Sequence, residues 1–156
     1  MTPLEKESLI LKDQIGKRVG SSKWVTIDQE RINQFAKVTE DYQFIHLDQE
    51  QAKKFSPFGK TIAHGFLVLS LVSKFAMEVL PRTSLKAIRI NYGFNKVRFI
   101  HPVFVDNSIR GIFTLNSFEK KELDSLLQKF ELTVEIRDTK KPALVAEWII
   151  MTQFNH

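Results

Sequence analysis

Asp41 and His46 stand five residues apart on a short link between two helical patterns, and further along Ala63-His64-Gly65 opens a long apolar run. A carboxylate and an imidazole are the side chains that most readily exchange protons near neutral pH. A helix N-terminus offers unpaired backbone N–H groups and the positive end of a dipole. Together these are the parts needed to move protons on a carbonyl substrate and to hold the charge that develops on its oxygen. The spacing alone carries little weight, because a helix-ending Asp beside a surface His gives the same pattern. What surrounds the pair decides.

The positioning elements are readable as patterns. Thr26 or Asp28 caps a helix whose apolar positions Ile32, Phe35 and Ala36 recur at helical spacing. Asp48 caps a second short helix, DQEQAKKF, with Gln51 three residues on as in a capping box. Ser56-Pro57-Phe58-Gly59 is a loop. Ala63 to Leu80 is expected to be one long helix, apolar on nearly all sides and therefore buried, with Pro81 ending it. Before these, Gly16 to Val25 is a strand pattern with Trp24 and Val25 turned inward, and the first thirteen residues are open between a helix and a loose extension. After them come five strand-like runs: Lys86 to Phe94, Asn95 to Ile100, Val103 to Asn116, Lys121 to Arg137, and Ala143 to Phe154. A buried helix followed by long alternating strands is an α+β pattern with an antiparallel meander.

Composition narrows the class. The 156 residues fit a single domain over 1–156, and 43% hydrophobic content is that of a globular chain. Thirteen Phe point to a core or groove rich in flat apolar surface. The absence of Cys excludes disulfides and thiolate chemistry and fits a cytoplasmic location. The charged start MTPLEKESLILKDQ has no apolar core of the kind a secretory signal needs. The apolar run from Ile62 to Leu80 carries His64, Lys74 and Glu78, so it reads as a buried helix, not a membrane span. A net charge of +5 is scattered and no nucleic-acid motif is present, which favours a small phosphorylated partner over nucleic acid.

The strings TEDYQFIHLD, SPFGKTIAHGFLVLSL, NYGFNKVRF and HPVFV, spread over roughly residues 14 to 118, resemble the MaoC-like dehydratase family. These are (R)-specific enoyl-CoA hydratases of hot-dog fold. The resemblance implies a curved antiparallel sheet wrapped around a long central helix. It implies that Asp41 and His46 grip a water, one acting as base and the other helping return a proton to the α-carbon, with syn addition. It makes the Gly65 N–H the oxyanion donor. Many relatives have Asn-Pro where this chain has Gln43-Phe44, and the Gln43 amide would bind substrate on a longer arm. That dipeptide places the chain nearest the subgroup resembling nodulation protein N. Arg98 matches a position near the acyl-CoA entrance. Asp106 stands where relatives often have Gly, implying a changed turn. The family implies no metal and no cofactor, an acyl-CoA or acyl-carrier-protein thioester as substrate, and a homodimer with an acyl tunnel near the interface, which Phe66, Phe75 and Phe99 would line. Two other readings stay open: a hot-dog acyl-CoA thioesterase, and an acyl-CoA-binding dimer without catalysis. His64 reads as a polar residue near the helix start.

Overall fold

The computed structural model describes residues 1–81, 87–121 and 124–154. The opening residues form helix α1 (Pro3–Gln14), fixed by a capping box between Thr2 and Glu5. Leu4, Ser8 and Leu11 lie one turn apart and are buried, so this helix docks instead of trailing in solvent.

Two short strands follow, β1 (Arg18–Ser21) and β2 (Val25–Thr26), both pairing antiparallel with β4 (Ser108–Lys121). The expected continuous strand is interrupted at Ser22, whose backbone N–H donates to Gly111 O while its hydroxyl accepts from Gly111 N. Val25 turns inward as expected, but Trp24 does not. Its ring carries the guanidinium groups of Arg110 and Arg137 at 4.5 and 4.8 Å. Two cations over its face give the half-buried ring favourable partners outside the core.

Asp28, not Thr26, caps α2 (Gln29–Thr39) by accepting from Arg31 N. Glu40, at φ 61°, ends it, one residue before Asp41. Then come α3 (Phe44–Leu47) and α4 (Gln49–Phe55), with Asp48 capping the latter as expected. The central helix is present but broken. It begins at Gly65, and it is split into α5 (Gly65–Ser70) and α6 (Val72–Val79). The Ser70 hydroxyl donates to Phe66 O at 2.6 Å, and Leu71 N turns to Val68 O, one residue short of the helical acceptor. A hydroxyl bonded one turn back and a tightened turn are common causes of such a break.

The sheet runs β1-β4-β5-β6-β3, antiparallel throughout, with β3 (Ala87–Phe99), β5 (Ser125–Ile136) and β6 (Leu144–Phe154). Where the sequence shows two runs from Lys86 to Ile100 there is one strand, with register shifts at Asn91/Gly93 and Phe94/Lys96. Lys86 itself lies outside the described residues, as do 122 and 123 in the run expected from Lys121. The expected run from Val103 starts as a strand only at Ser108. Before it, Asp106 takes φ 69°, the left-handed conformation that Gly favours and Asp tolerates, so the turn keeps a glycine-like backbone.

Inward positions alternate along β4 from Ser108 to Leu115 and along β6 on either side of Trp148, Ile149 and Ile150, which are all buried. Phe113, Phe130 and Trp148 form an aromatic triangle on three neighbouring strands, with centroids 5.8 to 6.4 Å apart. Phe75 of α6 drops onto this surface at Gly111, where a Cβ would lie 2.9 Å from the Phe75 ring and Cβ. Helix layer and sheet therefore meet through a missing side chain.

Candidate active site

His46 lies on α3 and His64 lies just before α5, and the two segments are tied together. Ile62 N donates to Ile45 O, and Ala63 N donates to Val103 O. The strap leading to α5 is thus held between α3 and the stretch after β3. Gln29, Gln49 and Thr61 reinforce the seam. The Gln29 side-chain amide donates to His46 O at 2.8 Å, the Thr61 hydroxyl donates to Gln29 Oε1, and Gln49 donates to Thr61 Oγ1. Thr61 is fully buried.

This bracing fixes His46, which is buried. Its Nδ1 is 2.8 Å from Ile62 O. A carbonyl oxygen only accepts, so Nδ1 carries the hydrogen, and in the neutral ring Nε2 keeps its lone pair. Burial pushes the His46 pKa below the usual histidine value, the neighbouring His64 adds to the effect, and the bond to Ile62 and the charge of Asp41 oppose it. The ring is therefore held in the form that accepts a proton.

His64 is buried face to face with it, centroids 3.8 Å apart and planes 26° apart. Its Nε2 bonds Asp41 O at 3.1 Å, and Phe35 packs on it at 5.0 Å. Asp41 is exposed, and its carboxylate accepts weakly from Gln43 N at 3.4 Å. One ionisable atom from each of Asp41, His46 and His64 falls within 4.8 Å of the others. The donor types would suit a transition metal, but the geometry does not. Stacked rings direct their lone pairs along near-parallel planes and so do not converge them on one point, although the carbonyl bond of each ring leaves its other nitrogen free.

Asp41, His46 and His64 line a cavity of about 440 Å³ together with Gly65, Phe66, Phe99, Ile100, His101 and Ala143. Gly65 is the first residue of α5, where N–H groups have no intrahelical acceptor. A Cβ at Gly65 would lie 2.9 to 3.2 Å from the ring of Phe99. Asp41, His46 and Gly65, singled out from sequence, thus meet at one cavity. Gln43 and Arg98 do not line it: Gln43 is exposed at the start of α3, and the exposed Arg98 donates to Val97 O. Of the three Phe expected to line an acyl tunnel, Phe66 and Phe99 line the cavity, whereas Phe75 is fully buried against Gly111. The place of Ala143 in the wall, and the bracing by Gln29 and Thr61, carry no local sequence signal; they arise from pairings across long separations.

Comparison with known proteins places this geometry. The family model for the MaoC like domain matches residues 11–138. Nodulation protein N of Rhizobium meliloti is 45% identical over 141 residues, covering 90% of this chain and 88% of its own. The 3-hydroxyacyl-thioester dehydratase Z of Mycobacterium tuberculosis is 43% identical over 135 residues, covering 86% and 88%. The (R)-hydratase from A. caviae involved in PHA biosynthesis superposes with a TM-score of 0.72 at 20% identity, covering 90% of this chain and 96% of the other, which shows a shared hot-dog fold. With its Asp–His pair and glycine-led helix at one cavity, the chain belongs to the MaoC-like dehydratase family.

Proposed function

We propose that the protein adds water to trans-2-enoyl thioesters, giving (R)-3-hydroxyacyl thioesters, and catalyses the reverse dehydration. The observation that carries this is the tethering of His46 Nδ1 to Ile62 O, which leaves Nε2 as a base beside the Asp41 carboxylate in a mostly apolar cavity. Water sits between the two groups. One of its hydrogens bonds the Asp41 carboxylate and stays on the product hydroxyl. The other passes to His46 Nε2 as oxygen bonds the β-carbon. The imidazolium then gives that proton to the α-carbon, and the enzyme returns to its starting state. Both additions come from one side, so hydration is syn.

Negative charge gathers on the thioester oxygen during the step, and the Gly65 N–H receives it; that Gly65 opens α5 at the cavity wall supports this role. The acyl chain runs past Phe66 and Phe99. Arg98 and Gln43, outside the cavity lining, are left to the carrier end of the substrate, coenzyme A or acyl-carrier protein. Dehydratase Z, a close relative, is named for 3-hydroxyacyl thioesters, which is the product class of this reaction.

The active form is proposed to be a homodimer. β3 is an edge strand of the sheet, and Ile88, Ile90 and Tyr92 on it are exposed, as are Phe66 and Met77 of the helix layer. An apolar edge of this length needs cover. No helix among the described residues is long and apolar enough to cross a membrane.

The test is incubation with crotonyl-CoA. Loss of the conjugated enoyl-thioester absorbance without release of free thiol is expected. Thiol release would instead identify a thioesterase, and no change in either signal would mark a binding protein.

A further inference from the structure

His64 has no part in the chemistry just described, yet it is as deeply buried as the core and touches both groups that have one. Its Nε2 donates to the backbone carbonyl of Asp41 at 3.1 Å, its ring stacks on His46 at 3.8 Å, and its other face meets Phe35. Because Asp41 O only accepts, Nε2 carries the hydrogen, and Nδ1 is left as a buried lone pair with no partner among the described residues. Leaving a buried acceptor unpaired has a free-energy cost. A histidine is thus kept where an apolar ring would fill the same space without that cost, and the bond that only a donor can make is the one to Asp41.

We propose that His64 is a positioning residue for the hydratase reaction: its Nε2–H anchors the Asp41 loop while its ring fixes the plane of His46, so that carboxylate and imidazole face the same water. Asp41 has little else to hold it. It is exposed, it follows the left-handed Glu40 that ends α2, and among the described residues its carboxylate makes only the long bond to Gln43 N. His64, by contrast, is seated on the strap held by Ile45 O and Val103 O, and its own carbonyl accepts from Leu67 and Val68 N–H. The rigid element therefore sets the loose one. The titratable groups facing His46 are Asp41, His64 and His101, all lining the same cavity. Of these, His64 lowers the His46 pKa and Asp41 raises it. A neutral replacement that still anchors Asp41 therefore moves the His46 titration upward, whereas one that frees Asp41 also loses its raising effect.

The inference rests on the proposed hydratase reading, and its test separates the two. Two variants are compared with the wild type, His64→Phe and His64→Gln. The first keeps a ring on His46 but cannot donate to Asp41 O; the second can donate but has no ring. Turnover of crotonyl-CoA is measured alongside the ring nitrogen signals of His46 by NMR, in a chain with only four histidines. For His64→Phe the expectation is a fall in kcat of about tenfold to a hundredfold, of the size that small misplacements of catalytic groups cause, with KM little changed. His64→Gln is expected to regain most of that loss. In His64→Gln the His46 titration and the acid limb of the pH profile move upward; in His64→Phe the freed Asp41 carboxylate offsets that shift, so the titration lies below that of His64→Gln. A folded His64→Phe variant in which the His46 ring signals are unchanged overturns the inference, as does a His64→Gln enzyme no better than His64→Phe. If wild type fails to hydrate, the hydratase reading falls, and the NMR comparison still decides whether His64 holds His46.

Discussion

Two glycines in this fold are occupied by aromatic rings, and the two places behave differently. At Gly111 on β4, Phe75 comes within 2.9 Å of where a Cβ would be, and Phe75 is 0% exposed. At Gly65 on α5, Phe99 comes equally close, but Phe99 is 50% exposed. At Gly111 one of the atoms in the way is the Phe75 Cβ, fixed to the backbone of α6 within a closed core. At Gly65 only ring atoms stand in the way, on a side chain that borders the cavity and solvent. The same device thus seals the helix layer onto the sheet at one end and shapes the wall of the cavity proposed to bind substrate at the other. Stability and chemistry are separated in space, and substitutions should sort accordingly.

The largest effect belongs to the chemical end. His46→Gln and Asp41→Asn should each lower hydration by about a hundredfold to ten-thousandfold, the usual contribution of an acid–base group. Circular dichroism should remain that of the folded protein. Retention of near-full activity by both variants would remove the acid–base assignment.

The next effect belongs to the sealed end. Gly111→Ala should cost about 1–3 kcal/mol of stability, as overpacked cores do, measured as a lower denaturant midpoint. Activity per folded molecule should change little. If Gly111→Ala unfolds at the wild-type midpoint, the seam between Phe75 and β4 is looser than the contact distances imply.

Gly65→Ala should show the reverse pattern. Phe99 can swing aside, so the unfolding midpoint should stay close to wild type. The displaced ring then intrudes on the thioester beside the Gly65 N–H, and turnover should fall by about tenfold to a hundredfold. Combining it with Phe99→Leu should restore part of the loss if the ring is the obstacle.

The smallest effect is in pH dependence. His46 titrates below the usual histidine value of about 6.5, chiefly because it is buried. The unfolded chain therefore takes up the proton first as pH falls. Stability is full above about pH 6.5 and declines as pH drops from there toward the folded-state pKa. The acid limb of kcat/KM should likewise lie below the ordinary histidine range. A limb at or above it would show that His46 is not held neutral.

The chemical end was more legible in the sequence than the sealed end. Asp41 and His46 are close in the chain, and the strap before Gly65 carries a distinctive string, so local wording was enough. The Gly111–Phe75 contact joins residues 36 apart in the chain, and nothing in the alternation of β4 marks position 111 as the landing site. The break at Leu71 was hidden because no Gly or Pro signals it; it comes from the Ser70 hydroxyl and a shifted backbone bond. Trp24 was misplaced because its partners, Arg110 and Arg137, come from strand β4 and the turn after β5. The expectation of substrate contacts from Gln43 and Arg98 came from motif position alone; neither lines the cavity, which leaves them for the carrier end of the substrate outside it.

The central claim is that Asp41 and His46 present water and proton to one face of the substrate. Hydration of crotonyl-CoA in deuterated water, followed by stereochemical analysis of the 3-hydroxybutyryl product, tests it most directly. The account predicts the (R)-alcohol with oxygen and deuterium added syn. An (S)-alcohol, or anti addition, would contradict it.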